Sequence, residues 1–162
     1  MRINTREISA DDCIRSAQIF SDDYKLLGAL MLCSYRVTID DEGETDVQCI
    51  EEIKGTLAGK YGPFLDFASF MICDSEKALS ASAVTEYKGK PLLAFSMTNP
   101  THQGKGYARF LIERSISALF KKGWPELYLV VTEGNAPAEF LYQKLGFKKV
   151  GPALPQQPPP TS

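Results

Sequence analysis

The stretch PLLAFSMTNPTHQGKGYARFLIERSISALFKKGW, residues 91–124, constrains the fold more than any other, because it reads as strand, glycine turn and helix in immediate succession. Leu92, Leu93, Phe95 and Met97 make a short apolar run suited to a buried strand. Asn99 and Pro100 stop it, since proline has no N–H for a ladder and biases its predecessor to extended geometry. QGKGYA, residues 103–108, then brings two glycines one residue apart. From Tyr107 the apolar spacing turns helical through Ala108, Leu111, Ile112, Ser115, Ile116 and Leu119. Gly123 closes this helix, with Lys121 and Lys122 in the last turn, where the helix dipole favours cations. A glycine turn that opens a helix gathers free N–H groups at the positive end of a dipole, which suits an anion such as phosphate. Two familiar phosphate loops do not fit. A Walker loop ends in Gly-Lys-Ser/Thr, whereas Lys105 is followed by Gly106 and Tyr107. A dinucleotide fingerprint needs a third glycine at position 109, which is arginine. From this segment alone, a turn that merely permits tight strand-to-helix packing reads equally well.

The 162 residues are expected to form one domain over 1–150, followed by a proline-rich tail, 151–162, that has no core-forming pattern. Charged residues make up 23% and hydrophobic residues 44%, ordinary for a water-soluble protein. A formal charge of −2 with no basic run argues against a nucleic-acid partner. No apolar stretch reaches membrane-spanning length, and MRINTREISADD lacks a signal-peptide core, so the expected location is cytoplasmic. Cys13, Cys33, Cys49 and Cys73 show no CxxC spacing and read as reduced thiols. A single histidine excludes a histidine-rich metal site, and no metal is expected.

Taken in order, residues 2–8 suit a first strand, and Ser9 caps an expected helix from Ala10 to Phe20. A second helix covers 22–36, weakened by Gly28. The connection 37–46 is acid-rich, and a third helix follows Thr45 with Val47, Ile50, Ile53, Leu57 and Ala58 on one side. Strands are expected over Phe67–Cys73 and Ala81–Tyr87, the latter joined to the 92–98 strand by a tight turn and therefore antiparallel to it. LYLVVT, residues 127–132, has strong strand character and completes a parallel strand–helix–strand unit. Asn135 caps a last helix, with Pro137 in its first turn and Gly146 at its end.

The order of QGKGYA, LYLVVT and EGNAPAEFLYQKLGFKKVG resembles the GNAT superfamily of acetyl-CoA-dependent N-acetyltransferases. Gln103, Gly106 and Ala108 fill that family's Gln/Arg-x-x-Gly-x-Gly/Ala pattern. Asn135, Ala138, Leu141, Tyr142, Leu145, Gly146 and Phe147 fill the later one. The close match covers residues 91–150. The resemblance implies an α/β fold: a mixed, mostly antiparallel central sheet with a parallel splayed strand pair, flanked by helices on both faces. It implies acetyl-CoA as cofactor, its pyrophosphate on the N–H groups of Gln103, Gly104, Lys105, Gly106, Tyr107 and Ala108. Its pantetheine arm would lie between the splayed strands against Met97 and Thr98, with Asn135 and Ala138 beside it. The implied reaction is direct acetyl transfer to a primary amine through a tetrahedral intermediate.

Tyr142 matches the family's general acid, which protonates the departing thiolate; it also reads as a helix tyrosine packed on the core. Asn135 is equally the cap of the last helix. The strand before the loop carries no acid, so the general base is unassigned. His102 beside the loop, Glu86 on the preceding strand and an ordered water are the alternatives. Asp40, Glu42 and Glu44 border the acceptor side in this layout and would hold a cationic amine, though such an acid-rich loop also reads as a solvated turn. The partner is then a small-molecule or peptide amine. Two further readings stay open: a transferase for a bulkier acyl-CoA, and a non-catalytic acyl-CoA-binding module. Only Phe147–Val150 is available for a strand after the last helix, which is compatible with completion by a neighbouring chain in a homodimer.

Overall fold

A computed structural model describes residues 1–6, 16–35, 45–131 and 134–150. Its elements are β1 (Arg2–Asn4), β2 (Ala17–Gln18), α1 (Tyr24–Tyr35), α2 (Asp46–Leu57), β3 (Phe70–Asp74), β4 (Lys77–Tyr87), β5 (Lys90–Thr98), α3 (Tyr107–Lys121), β6 (Glu126–Leu129) and α4 (Ala136–Leu145). The six strands form one sheet in the order β1-β6-β5-β4-β3-β2, antiparallel throughout except for the β5–β6 pair. The mixed α/β sheet inferred from the sequence is therefore observed.

Side chains alternate across the sheet and divide the core in two. Met71, Ala81, Ala83, Phe95 and Met97 pack with Leu27, Leu30 and Met31 of α1 and Cys49, Ile53 and Leu57 of α2. On the other face Val84 and Leu93 meet Ile112, Ile116 and Leu119 of α3 and Tyr142 and Leu145 of α4. Helix α2 starts with a full capping box: Thr45 Oγ1 accepts from the Gln48 N–H, and the Gln48 side chain accepts from the Thr45 N–H. Gly28, which weakens α1 as an isolated helix, is where α2 comes closest: a Cβ there would meet Ile50 Cγ1 at 2.6 Å and Ile50 Cα at 2.8 Å. The second of these is backbone and cannot swing away. Gly28→Ala is therefore expected to destabilise the fold by about 1–3 kcal/mol despite alanine's better helix propensity. Thermal unfolding checks this, with a melting temperature lowered by roughly 2–4 °C per kcal/mol.

Three sequence expectations are corrected. Ala17 and Gln18 are the edge strand β2, paired to Phe70 and Met71, instead of the end of a helix; Ile19 beyond them is fully buried, which satisfies the same apolar signal. The rest of that expected helix, residues 10–15, lies outside the described residues, as do 36–44 and the tail 151–162. On α2 the core face is Cys49, Ile53 and Leu57, while Val47 is 63% exposed in the first turn. Among the described residues, β6 stops at Leu129, short of the expected 132, because its ladder with β5 has only two registers, Leu92 with Tyr128 and Leu93 with Leu129.

That early stop positions everything that follows. Ala94 is an extra residue in β5: Ala83 pairs with Phe95 while Val84 pairs with Leu93. Such a bulge increases twist and re-aims the strand. Beyond it β5 keeps β4 on one side and, among the described residues, has no strand on the other. The strand beside β6 is the chain's own β1. After α4 there is no further strand among the described residues; Lys148 makes one two-bond bridge to Arg2, with both N–H···O distances 2.9 Å.

Candidate functional site

At the end of β5 the Asn99 N–H bonds Leu79 O on β4 at 2.7 Å. Antiparallel ladders alternate, so Met97 also addresses β4. Ser96 and Thr98 therefore turn their backbone N–H and C=O groups to the opposite side, which β6 has left. Asn99 then caps the short 3₁₀ turn Pro100–His102, its Oδ1 accepting from the Thr101 N–H at 3.0 Å and the Thr101 hydroxyl at 2.8 Å. Asn99 Oδ1 has no hydrogen to give, so Thr101 spends its own there and accepts from His102 Nδ1 at 2.9 Å. His102 stacks on Tyr107 with ring centroids 6.4 Å apart.

Gly104 and Gly106 have φ of +81° and +79°, the left-handed conformation that side chains resist, and Gly106 is the N-cap of α3. This path leaves the backbone N–H groups of residues 104–109 with no acceptor among the described residues; the Gln103 N–H, expected in that row, is instead turned to Pro100 O at 3.5 Å by the 3₁₀ turn, and Phe110 N–H is the first to return, to Gly106 O at 3.0 Å. A Cβ on either glycine would meet nothing within 4 Å, so the space above the loop is open. Six donors at the positive end of a 15-residue helix fit a phosphate group.

Helix α4 forms the opposite wall. Asn135 Oδ1 accepts from the Ala138 N–H at a long 3.4 Å, and Gly146 ends the helix in the left-handed conformation. Tyr142 is 1% exposed and meets Phe147 edge-on at 5.8 Å. Its packing in the core and its place at the cavity are thus both observed.

Between β5, the loop and α4 lies a cavity of about 410 Å³. Met97, Thr98, Gln103, Gly104, Gly106, Tyr107, Ala108, Asn135, Ala138 and Tyr142 all line it. Lys105 does not, its side chain lying outside the wall. Asp40, Glu42 and Glu44 lie outside the described residues. Glu86 pairs with Pro91 at the far end of the β4–β5 hairpin from the cavity. The wall also contains Ser34, Ser96, His102, Arg109, Leu141, Lys144 and Leu145. The α4 members follow a helical stripe (138, 141, 142, 145) that periodicity reveals. Nothing local marks Ser34, whose role depends on α1 being folded against the end of β5. The charged lining residues Arg109 and Lys144 are both cationic and sit on the loop helix and α4, while Ser34, Ser96, Met97 and Thr98 form an uncharged end. No carboxylate lines the cavity among the described residues. No group of three His, Cys, Asp or Glu is placed to hold a metal among them either.

Residues 81–147 match the model of the Acetyltransferase (GNAT) family. The chain is 45% identical over 51 residues to the ribosomal protein bS18-alanine N-acetyltransferase of Haemophilus influenzae, an overlap of 32% of this chain and 34% of that protein. It is 32% identical over 84 residues to the protein of the same name from Escherichia coli (strain K12), covering 51% and 56%. The chain thus spans between a third and just over half of these curated relatives. Among solved structures, the PaiA N-acetyltransferase of Thermoplasma acidophilum in complex with coenzyme A shares the fold, with a TM-score of 0.65 at 18% identity over 83% of this chain and 89% of that one. No helix among the described residues is long and apolar enough to cross a membrane.

Proposed function

We propose that this chain, whose residues 81–147 match the acetyltransferase (GNAT) family and whose fold is that of a coenzyme A-bound N-acetyltransferase, moves an acetyl group from acetyl-CoA to a primary amine. The observation that carries the reading is the row of six N–H groups at residues 104–109, opening onto a cavity that runs to the separated β5 and β6. Acetyl-CoA, when bound, supplies an activated acetyl thioester. The N–H groups of 104–109 hold its pyrophosphate, with the cationic Arg109 and Lys144 at the same end. The N–H groups of Ser96 and Thr98 address its arm as an added strand would and present a donor for an oxyanion. Tyr142 holds the proton, at its phenolic oxygen, that the departing sulfur takes. Asn135 orients α4 so that Tyr142 and Ala138 face the cavity.

No carboxylate in the described wall takes the proton of the amine, so this proton leaves through water. The reading sets the protein in the cytoplasm, in keeping with Cys33, Cys49 and Cys73, which form no disulfide among the described residues. Curated relatives named for a ribosomal-protein alanine make a peptide N-terminus one acceptor to test. The decisive assay is release of free coenzyme A across a panel of polyamines, amino acids, aminoglycosides and peptides with free N-termini. Turnover with one class of amine is expected. Acetyl-CoA binding without turnover on any of them would favour a non-catalytic acyl-CoA-binding module.

A further inference from the structure

His102 is the one histidine of the chain, and the turn that bears it fixes where its hydrogen sits. The 3₁₀ turn Pro100–His102 folds back on itself, so that the His102 N–H meets Asn99 O at 2.8 Å and the imidazole starts close to the end of β5. Asn99 Oδ1 accepts from the Thr101 backbone N–H at 3.0 Å, so the oxygen of that amide, not its nitrogen, faces Thr101. The Thr101 hydroxyl, 2.8 Å from the same oxygen, donates to it, because the opposite choice leaves two oxygens in contact with no hydrogen between them. With its hydrogen spent, Thr101 Oγ1 accepts, and the atom that gives to it is His102 Nδ1 at 2.9 Å. A neutral imidazole has one N–H. This bond places it on Nδ1 and leaves the lone pair on Nε2. Nε2 has no partner among the described residues, and His102 lines the cavity together with Thr98.

We infer that His102 Nε2 takes, through water, the proton that the acceptor amine sheds. The other titratable groups of the described wall are Tyr107 and Arg109 of α3 and Tyr142 and Lys144 of α4. The two cations have no lone pair to offer, and the two phenols carry protons to give. The wall residues of α1 and β5 are uncharged. The imidazole lone pair is thus the acceptor in this wall, and a base can act through one water. The proton count closes. An amine that arrives as ammonium loses two protons on becoming an amide. The first passes through water to Nε2, while Nδ1–H stays on Thr101, and goes from the imidazolium to solvent. The second leaves nitrogen as its bond to the acetyl carbon forms and the carbon–sulfur bond breaks; it restores to Tyr142 the proton that sulfur took. The inference rests on the acetyltransferase reading above and gives it a substrate class, an amine basic enough to arrive protonated.

The wild-type protein supplies a test that needs no variant, because its single histidine gives a single imidazole system in long-range proton–nitrogen NMR correlation. The neutral ring is expected to carry its hydrogen on Nδ1; the reverse tautomer overturns the proposal. His102→Asn keeps an N–H for Thr101 and removes the lone pair. With the best acceptor of the amine panel it is expected to lower kcat/KM for the amine about 10²-fold at neutral pH, with KM for acetyl-CoA changed less than about twofold. The deficit is expected to shrink as pH rises, since the amine then sheds its own proton, and added imidazole is expected to restore part of the rate. An unchanged rate overturns the proposal, and so does a loss that is equal at every pH and untouched by imidazole, which a structural role would give. Should the variant fail to fold, the tautomer still decides. If wild-type protein binds no acetyl-CoA at all, the function reading itself fails, an outcome distinct from all of these.

Discussion

Tyr142→Phe is expected to lower turnover by about 10²-fold while leaving coenzyme A binding intact. The substitution keeps the ring, which is 1% exposed and edge-on to Phe147, and removes only the hydroxyl. General acid catalysis by a positioned side chain contributes about 10²–10⁴-fold. The lower figure suits a thiolate, which leaves more readily than an alkoxide. The informative readout is the split: kcat falls, and acetyl-CoA still raises the melting temperature. A variant with unchanged kcat would return Tyr142 to a packing role. Loss of both activity and stability would show that the hydroxyl serves the core.

The second large effect belongs to the loop. Gly106→Val sets a β-branched side chain at φ +79° in the N-cap of α3. The left-handed conformation costs such a residue about 1–2 kcal/mol. More important, the new side chain points into space where the protein offers no contact within 4 Å. That is the volume a phosphate must occupy to reach the N–H groups of 104–109. Coenzyme A affinity is expected to fall by at least about 10-fold, far beyond what the modest loss of stability explains. Isothermal titration with coenzyme A measures it. Affinity within twofold of wild type would mean that the loop is a packing turn, the reading the sequence alone left open.

Legibility followed how local the determinant is. The loop, α3 and α4 were readable because glycines, caps and a 3.6-residue stripe are written within a dozen residues, and the structure places them where that pattern requires. Apolar spacing likewise placed α2 after Thr45, and the structure adds the capping box that starts it. What could not be read depended on distant partners. Ala17–Gln18 is a strand because β3 offers it a partner some 50 residues on, and Ile19 fills a core position that helix or strand would satisfy equally. Val47 has the right type for the buried face of α2, yet the buried positions are set by where α1 crosses, which Gly28 decides. LYLVVT has strand character to its end, but a ladder needs a neighbour, and the bulge at Ala94 takes β5 away after two registers. Ser34 shows the same limit at the site: a serine in an apolar helix acquires meaning only when Thr98 arrives beside it.

The central claim is that the N–H row above Gly104 and Gly106 holds coenzyme A, and thermal unfolding with and without acetyl-CoA tests it most directly. Ligand at about 100 times its dissociation constant stabilises the native state by about 2.7 kcal/mol, which for a chain of this length is a rise of roughly 5–10 °C in melting temperature. That rise is expected for acetyl-CoA and for free coenzyme A, and its loss is expected in Gly106→Val. A melting temperature that stays fixed at saturating acetyl-CoA would contradict it.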